Sequence, residues 1–293
     1  MLSLSLVLLF APPALDAKLL PLIQAHKGKV TVALKHLETG ESFAHDADAT
    51  MPTASLIKLP ILIEAYTQAE ANPDLLGRTL TLTKSDKVPG AGILTQHFSD
   101  GATFPVRDAL RMMVVYSDNT ATNMVIDQVG IHAVNDRMAS LGLKETRLNS
   151  KVYKRSESSV DLKRSEAWGL GSTTAAETLK LLELLHTGKV VTPAACKAML
   201  GHMKANDDKE MIVRFLPPGT AVAHKTGAVN ASRNDAGIIY LPDAADKKKT
   251  HALALCVLTT NNEDQSWAID NGGQLTIAKI AKAAYDHFKS AKD

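Results

Sequence analysis

The sequence predicts an α/β chain of the α+β kind: an antiparallel sheet flanked by helices, built from both chain ends, with an all-α domain inserted between them. Two observations predict it. Strand-like alternation is confined to a stretch beginning at Lys29 and to residues 221–259, while helical periodicity fills the chain from Ser55 to about His202. The strands also follow one another as hairpin-like runs, which points to antiparallel pairing with helices packed on the sheet. At 293 residues, 45% hydrophobic and 22% charged, the chain has material for one large domain or two intimately joined ones. The boundaries read as a signal segment over 1–17, the α/β domain over 18–50 and 207–293, and the all-α domain over 51–206.

In chain order, residues 2–10 (Leu-Ser-Leu-Ser-Leu-Val-Leu-Leu-Phe) form an apolar run. It is too short to span a bilayer but suits the apolar part of a secretory signal. With no Lys or Arg before Lys18 and no clean small-x-small cleavage site, the signal is degenerate, and a buried N-terminal helix is the other reading. Export to the periplasm or the medium is the expectation. Ala17 to Ala25 reads as an amphipathic helix, Lys29 to Leu37 as a strand, and Glu38-Thr-Gly-Glu41 as a turn into a second strand. Apolar residues recur at helical spacing over 106–116, 121–129, 132–141 and 174–186. Two loops interrupt them, Lys87 to Ile93 and the polar stretch Asn149 to Gly171. Strands return over 221–226, 235–240 and 251–259, and an amphipathic helix from Gln274 to Phe288 ends the pattern.

The net charge of +2 leaves no basic footprint for nucleic acid. No later segment approaches the ~20 apolar residues of a membrane span, and a monomer acting on small molecules is expected. Cys196 and Cys256 lie far apart, Cys256 within an apolar strand, and read as two free thiols. The ten histidines form no ligand spacing, so neither metal nor cofactor is implied.

Chemistry concentrates in Pro52-Thr-Ala-Ser-Leu-Ile-Lys-Leu-Pro60, where Ser55 and Lys58 stand three residues apart at a helix start. Positions i and i+3 share a helix face, so the lysine amine can reach the serine hydroxyl. A serine is a poor nucleophile until a base takes its proton, and a lysine made neutral by burial and a neighbouring cation is such a base. Ser117-Asp-Asn119, between two apolar helices, and Lys225-Thr-Gly227, at the end of an apolar strand, each occur once, as does S-x-x-K, and in this order.

With these three motifs, Gly90-Ala-Gly-Ile-Leu94, Thr146-Arg-Leu148 and Arg233 just beyond Lys225-Thr-Gly-Ala228, the chain resembles the penicillin-recognising serine hydrolases, most closely the class A β-lactamases. The resemblance runs from about Leu19 to Phe288. It implies the β-lactamase/transpeptidase-like fold, a β-lactam or peptide-like substrate, and these roles. Ser55 attacks the carbonyl and Lys58 helps remove its proton. Ser117 relays a proton to the leaving nitrogen, and Asn119 holds Lys58 and the substrate amide. Lys225, Thr226 and Arg233 hold the substrate carboxylate, and the N–H groups of Ser55 and Ala228 form the oxyanion hole. Class A enzymes also carry a glutamate in E-x-x-L-N that activates the deacylating water. Counting from Arg147 without gaps puts Val152 there. A gap in the long loop makes Glu157-Ser-Ser-Val-Asp161 a relaxed version, and Glu166 is a poorer candidate because Gly169 stands where Leu belongs. The expectation is Glu157 as general base, and with it a class A-type β-lactamase that opens the β-lactam ring through a Ser55 acyl-enzyme. Without a base, the alternatives are a DD-peptidase-like or esterase-like hydrolase, or a slowly turning over penicillin-binding protein.

Overall fold

The computed structural model describes residues 14–243, 246 and 249–290. The expected signal segment therefore lies almost wholly outside the described residues. Helix α1 (Leu15–Gln24) starts two residues before the predicted boundary and leads into β1 (Lys29–His36) and β2 (Ser42–His45). The chain then leaves the sheet through β3 (Met51–Pro52), a 3₁₀ turn (Ala54–Ile57) and α2 (Lys58–Ala71). Nine consecutive residues of α2, Lys58 to Tyr66, are buried, as befits a helix that is apolar nearly all round.

Around α2 the chain lays down β4 (Thr79–Thr81), α3 (Leu94–His97), β5 (Thr103–Pro105), α4 (Val106–Val115), α5 (Asn119–Val129) and α6 (Ile131–Ser140). The long loop opens after β6 (Arg147–Leu148), contains α7 (Arg155–Ser158) and α8 (Leu162–Trp168), and closes at β7 (Gly171–Thr173). Helices α9 (Ala175–His186) and α10 (Pro193–Lys204) follow, each started by a threonine whose hydroxyl accepts a backbone N–H, Thr174 from Glu177 and Thr192 from Ala195. The segment expected to be all-α thus also holds short strands, ordered β3-β7-β6 and β4-β5. These are too short to show an alternating pattern.

Strands β8 (Val222–Val229), β9 (Ser232–Pro242) and β10 (Thr250–Thr260) return to the sheet, and α11 (Gly272–Ser290) covers it. The order is β2-β1-β10-β9-β8, antiparallel throughout, so the two chain ends meet where β1 pairs with β10. The fold is mixed α/β, an antiparallel sheet flanked by helices. Both sheet faces are buried. On β10, Ala252, Ala254, Cys256 and Leu258 join the core shared with α2, α4 and α9, while Leu253, Leu255 and Val257 pack under α1 and α11. That is the two-residue period of a strand with both faces covered. Cys196 and Cys256 are free, buried thiols.

Candidate active site

The 3₁₀ turn puts Ser55 and Lys58 one above the other, because residues i and i+3 eclipse in that geometry. Ala54, just before Ser55, has φ 46°, a left-handed conformation that costs a non-glycine residue on the order of 1–3 kcal/mol. The surroundings hold it there. Thr53 N–H donates to Gly171 O (2.9 Å), and Asn234 Nδ2 on β9 donates to Pro52 O (2.8 Å). Gly227 of edge strand β8 lies against the same turn. A Cβ there would stand 2.3 Å from Thr53 O and 2.7 Å from Leu56 N, so only glycine lets strand and turn approach this closely.

Ser117, with φ 53°, turns the chain between α4 and α5. Asp118 fixes that turn. Its carboxylate accepts from Ala121 N (2.8 Å) as the cap of α5, and from Ile93 N (2.7 Å) and Leu94 N (2.8 Å) of the Gly90–Leu94 segment. Asn119 is clamped by N–H donation to Ala91 O (3.0 Å) and Nδ2 donation to Pro89 O (3.0 Å).

Two buried lysines meet on Ser117. Lys58 Nζ donates to Ser117 O (2.5 Å), Ser117 Oγ (3.2 Å) and Asn119 Oδ1 (2.9 Å). Lys225 Nζ donates to Ser117 Oγ (3.1 Å) and Thr226 O (2.8 Å). Burial pushes the Lys58 amine well below the ordinary lysine range, and the Lys225 cation adds to the effect while Asp118 opposes it. Burial likewise lowers Lys225, to about 8, against Asp208 and Asp235. Among the described residues no hydrogen bond joins Ser55 Oγ to Lys58.

Beside Ser55 opens a cavity of about 260 Å³, walled by Asn119, by the long loop and by Ala228 and Val229 of β8. The loop contributes Lys151, Val152, Tyr153, Arg155 and Trp168, and among the described residues no carboxylate lines the cavity. Val152 is held firmly: its N–H donates to Asn123 Oδ1 (2.8 Å) and its carbonyl accepts from Asn123 Nδ2 (3.0 Å). Tyr153, with φ 58°, is the third left-handed non-glycine residue at this site after Ala54 and Ser117. Glu157 is exposed on α7 and Glu166 exposed on α8, and neither lines the cavity. The structure thus brings Ser55, Lys58, Ser117, Asn119, Lys225, Thr226 and Ala228 together and leaves Glu157 outside. A gap in the loop count had favoured Glu157; the ungapped count leads to the residue that faces the cavity.

Arg233, opposite Ala228 across the β8–β9 pair, is fully buried. Its Nη1 donates to Val229 O (2.5 Å), Asn230 O (3.3 Å) and Ser232 O (2.9 Å), and its Nη2 to Ser266 O (2.5 Å). The guanidinium sits 4.6 Å from the Trp267 ring. These bonds pin the hairpin end to the 264–267 segment, while Nε is buried with no hydrogen-bond partner among the described residues. His224, next to Lys225 in sequence, is buried, with Nδ1 3.0 Å from Asp235 Oδ1.

Fold and site together define a serine-hydrolase-type architecture with two lysines around a serine pair. A model of the β-lactamase enzyme family matches residues 14–288, and the chain belongs to that family. The extended-spectrum β-lactamase PER-1 of Pseudomonas aeruginosa is 26% identical over 93% of this chain and 87% of its own length. The crystal structure of a β-lactamase from Sphaerobacter thermophilus superimposes with a TM-score of 0.79 at 28% identity, covering 93% of this chain and 97% of that one. PBP-A shares the fold, with a TM-score of 0.80 at 22% identity over 94% of this chain and 96% of its own.

Proposed function

We propose that the protein is a penicillin-recognising serine hydrolase that forms an acyl-enzyme on Ser55 and releases it slowly. One observation carries the reading: the cavity beside Ser55 is lined by an amide, two cationic side chains and Val152, with no carboxylate to activate water. In this reading Lys58, once neutral, takes the Ser55 proton. Ser117, between the two amines, passes a proton to the leaving nitrogen. The N–H groups of Ser55 and Ala228 stabilise the oxyanion, each such donor contributing ~3 kcal/mol in comparable sites. Asn119 orients Lys58 and the acyl amide, and Lys225 and Thr226 take the substrate carboxylate. Arg233 supports them by holding the end of β8.

Steady β-lactam hydrolysis is the second reading, favoured by relatives that bear the β-lactamase name; it requires α7 to bring Glu157 over Ser55. A chromogenic cephalosporin followed over time separates the two. We expect a burst of one equivalent and a slow steady rate, unchanged in Glu157→Gln. Fast turnover that Glu157→Gln abolishes would establish the second reading instead.

Two further results are expected. Gly227→Ala drives a Cβ into the Thr53 carbonyl and displaces Ser55. Adduct formation with a penicillin, timed by mass spectrometry, should slow by about 10²-fold, the usual consequence of a 1 Å misplacement, with circular dichroism unchanged. The second concerns pH. Lys225 attracts a carboxylate only while protonated, and its amine is lowered to about 8. Capture of a carboxylated substrate should therefore be strong below that pH and fall as pH rises through it. A neutral ester should show no such falling limb, and equal falling limbs for both would remove Lys225 from carboxylate binding.

The proposal extends to organisation and location. Residues 18–50 and 207–293 form one domain and 51–206 the other, with Ser55 at their junction. The apolar run after Met1 directs export, which cell fractionation tests. No helix among the described residues is long and apolar enough to cross a membrane.

A further inference from the structure

Away from the serine site, the fold assembles a group that no spacing in the sequence reveals. His36 ends β1, Glu38 stands in the turn after it, and His251 lies at the start of β10, which pairs with β1. Along β10, His251 is five residues from Cys256, whose row across the sheet carries Ala236 and Lys225. That is about 17 Å at the strand rise, so the group is separate from the cavity beside Ser55.

One donor atom from each of the three residues falls within 4.8 Å of the others. Glu38 Oε2 is 3.6 Å from His36 Nδ1 and 4.0 Å from His251 Nδ1. The protons are arranged to suit a metal. Asp243 Oδ2 lies 2.5 Å from His251 Nε2, and an ionised carboxylate can only accept, so Nε2 carries a hydrogen and Nδ1 is the ring nitrogen on the Glu38 side, 4.0 Å from Oε2. Asp243 is itself set by Asp246 N–H, which donates to its other oxygen (2.9 Å). A carboxylate behind a ligating histidine is the usual outer support of a bound metal. His36 Nδ1 accepts from Thr39 N–H at 3.2 Å, lies 3.1 Å from Thr39 Oγ1 and stands 3.6 Å from Glu38 Oε2. Glu38 is held by Ala252 N–H, 3.0 Å from each of its oxygens.

We infer that His36, Glu38 and His251 form a binding site for a divalent transition-metal ion of the zinc type, with Asp243 positioning His251. Two imidazoles and one carboxylate are the donors such an ion takes, at bond lengths of about 2.0–2.2 Å, which set donor atoms roughly 3.4 Å apart in a tetrahedron. The present separations need to contract by between a few tenths of an ångström and somewhat more than one. The ion takes the His36 lone pair from Thr39 and leaves a fourth position for water. His36 is 3% exposed, His251 20% and Glu38 39%, so the ion enters past Glu38 and rests against a buried imidazole. Bound there, it ties the β1–β2 turn to the start of β10.

The test uses the untagged full chain, stripped with a chelator and titrated with Zn²⁺ by calorimetry, with Co²⁺ as a spectroscopic reporter. One equivalent of Zn²⁺ should bind, and Co²⁺ should give visible d–d bands that Zn²⁺ removes. Asp243→Asn should weaken Zn²⁺ binding about 10–100-fold at unchanged stoichiometry, the usual effect of losing an outer partner. His251→Gln and Glu38→Gln, both at partly exposed positions, should abolish the Co²⁺ bands while circular dichroism stays native. His36→Gln serves only if it folds. Absence of saturable binding in the wild type overturns the inference. So does binding whose stoichiometry and affinity are the same in His251→Gln and Glu38→Gln as in the wild type.

Discussion

Replacing Val152 by glutamate is expected to turn a stalled acyl-enzyme into one that turns over, with the steady rate rising about 10²–10⁴-fold, the range a positioned general base contributes. The position suits the experiment. Val152 lines the cavity beside Ser55 and is 8% exposed, and its backbone is fixed at both N–H and C=O by Asn123. A longer side chain there has the cavity that Ser55 also lines to extend into. Burying a carboxylate is costly, but Lys151 and Arg155 line the same cavity and offset part of that cost. Stability should fall while turnover rises. Val152→Gln is the control, with similar size and no base. If Val152→Glu is acylated at the wild-type rate and released no faster, position 152 does not reach the ester.

Ser55→Ala is expected to abolish acylation outright. Removing a serine nucleophile in other hydrolases costs about 10⁶-fold in kcat, and no neighbouring group here replaces it: Ser117 Oγ is held between the Lys58 and Lys225 amines as an acceptor. Intact-protein mass spectrometry with a penicillin should show a single adduct on the wild type and none on the variant. An adduct that persists in Ser55→Ala would move the chemistry to another residue, with Ser117 the first to examine.

Much of the candidate site's geometry was legible because the motifs that bring its residues together are short in sequence. Ser55 and Lys58 must be i and i+3, and Ser117 and Asn119 must flank a helix cap. The apolar alternation of β1 and of β8 to β10 marked a sheet drawn from both ends. What could not be read was set by contacts distant in sequence. Strands β3, β6 and β7 span two or three residues and owe their existence to partners from Met51 to Thr173. Val152 carries no chemical signal, and only counting from Arg147 finds it; the search for a glutamate led instead to exposed Glu157. Arg233 was expected to hold a substrate carboxylate, and only the hairpin register reveals that it stands opposite Ala228 with Nη1 and Nη2 donating to four backbone carbonyls. His36 and Glu38 meet His251 only through the β1–β10 pairing.

That pairing also constrains when the protein can fold. Lys29 faces Thr260 and His36 faces Leu253, so among the described strands β1 has only short β2 as a sheet partner until residues 253–260 have been made. At ordinary elongation rates the wait is on the order of 10–40 s, and closing so long a loop makes the last step intrinsically slow. Ser55, whose turn rests against Gly227 of β8, cannot be set before the C-terminal strands arrive. A nascent or partly synthesised chain therefore lacks the contacts that set the Ser55 turn, and under the proposed function a penicillin-type label on Ser55 is expected to count only molecules in which β1 and β10 have paired.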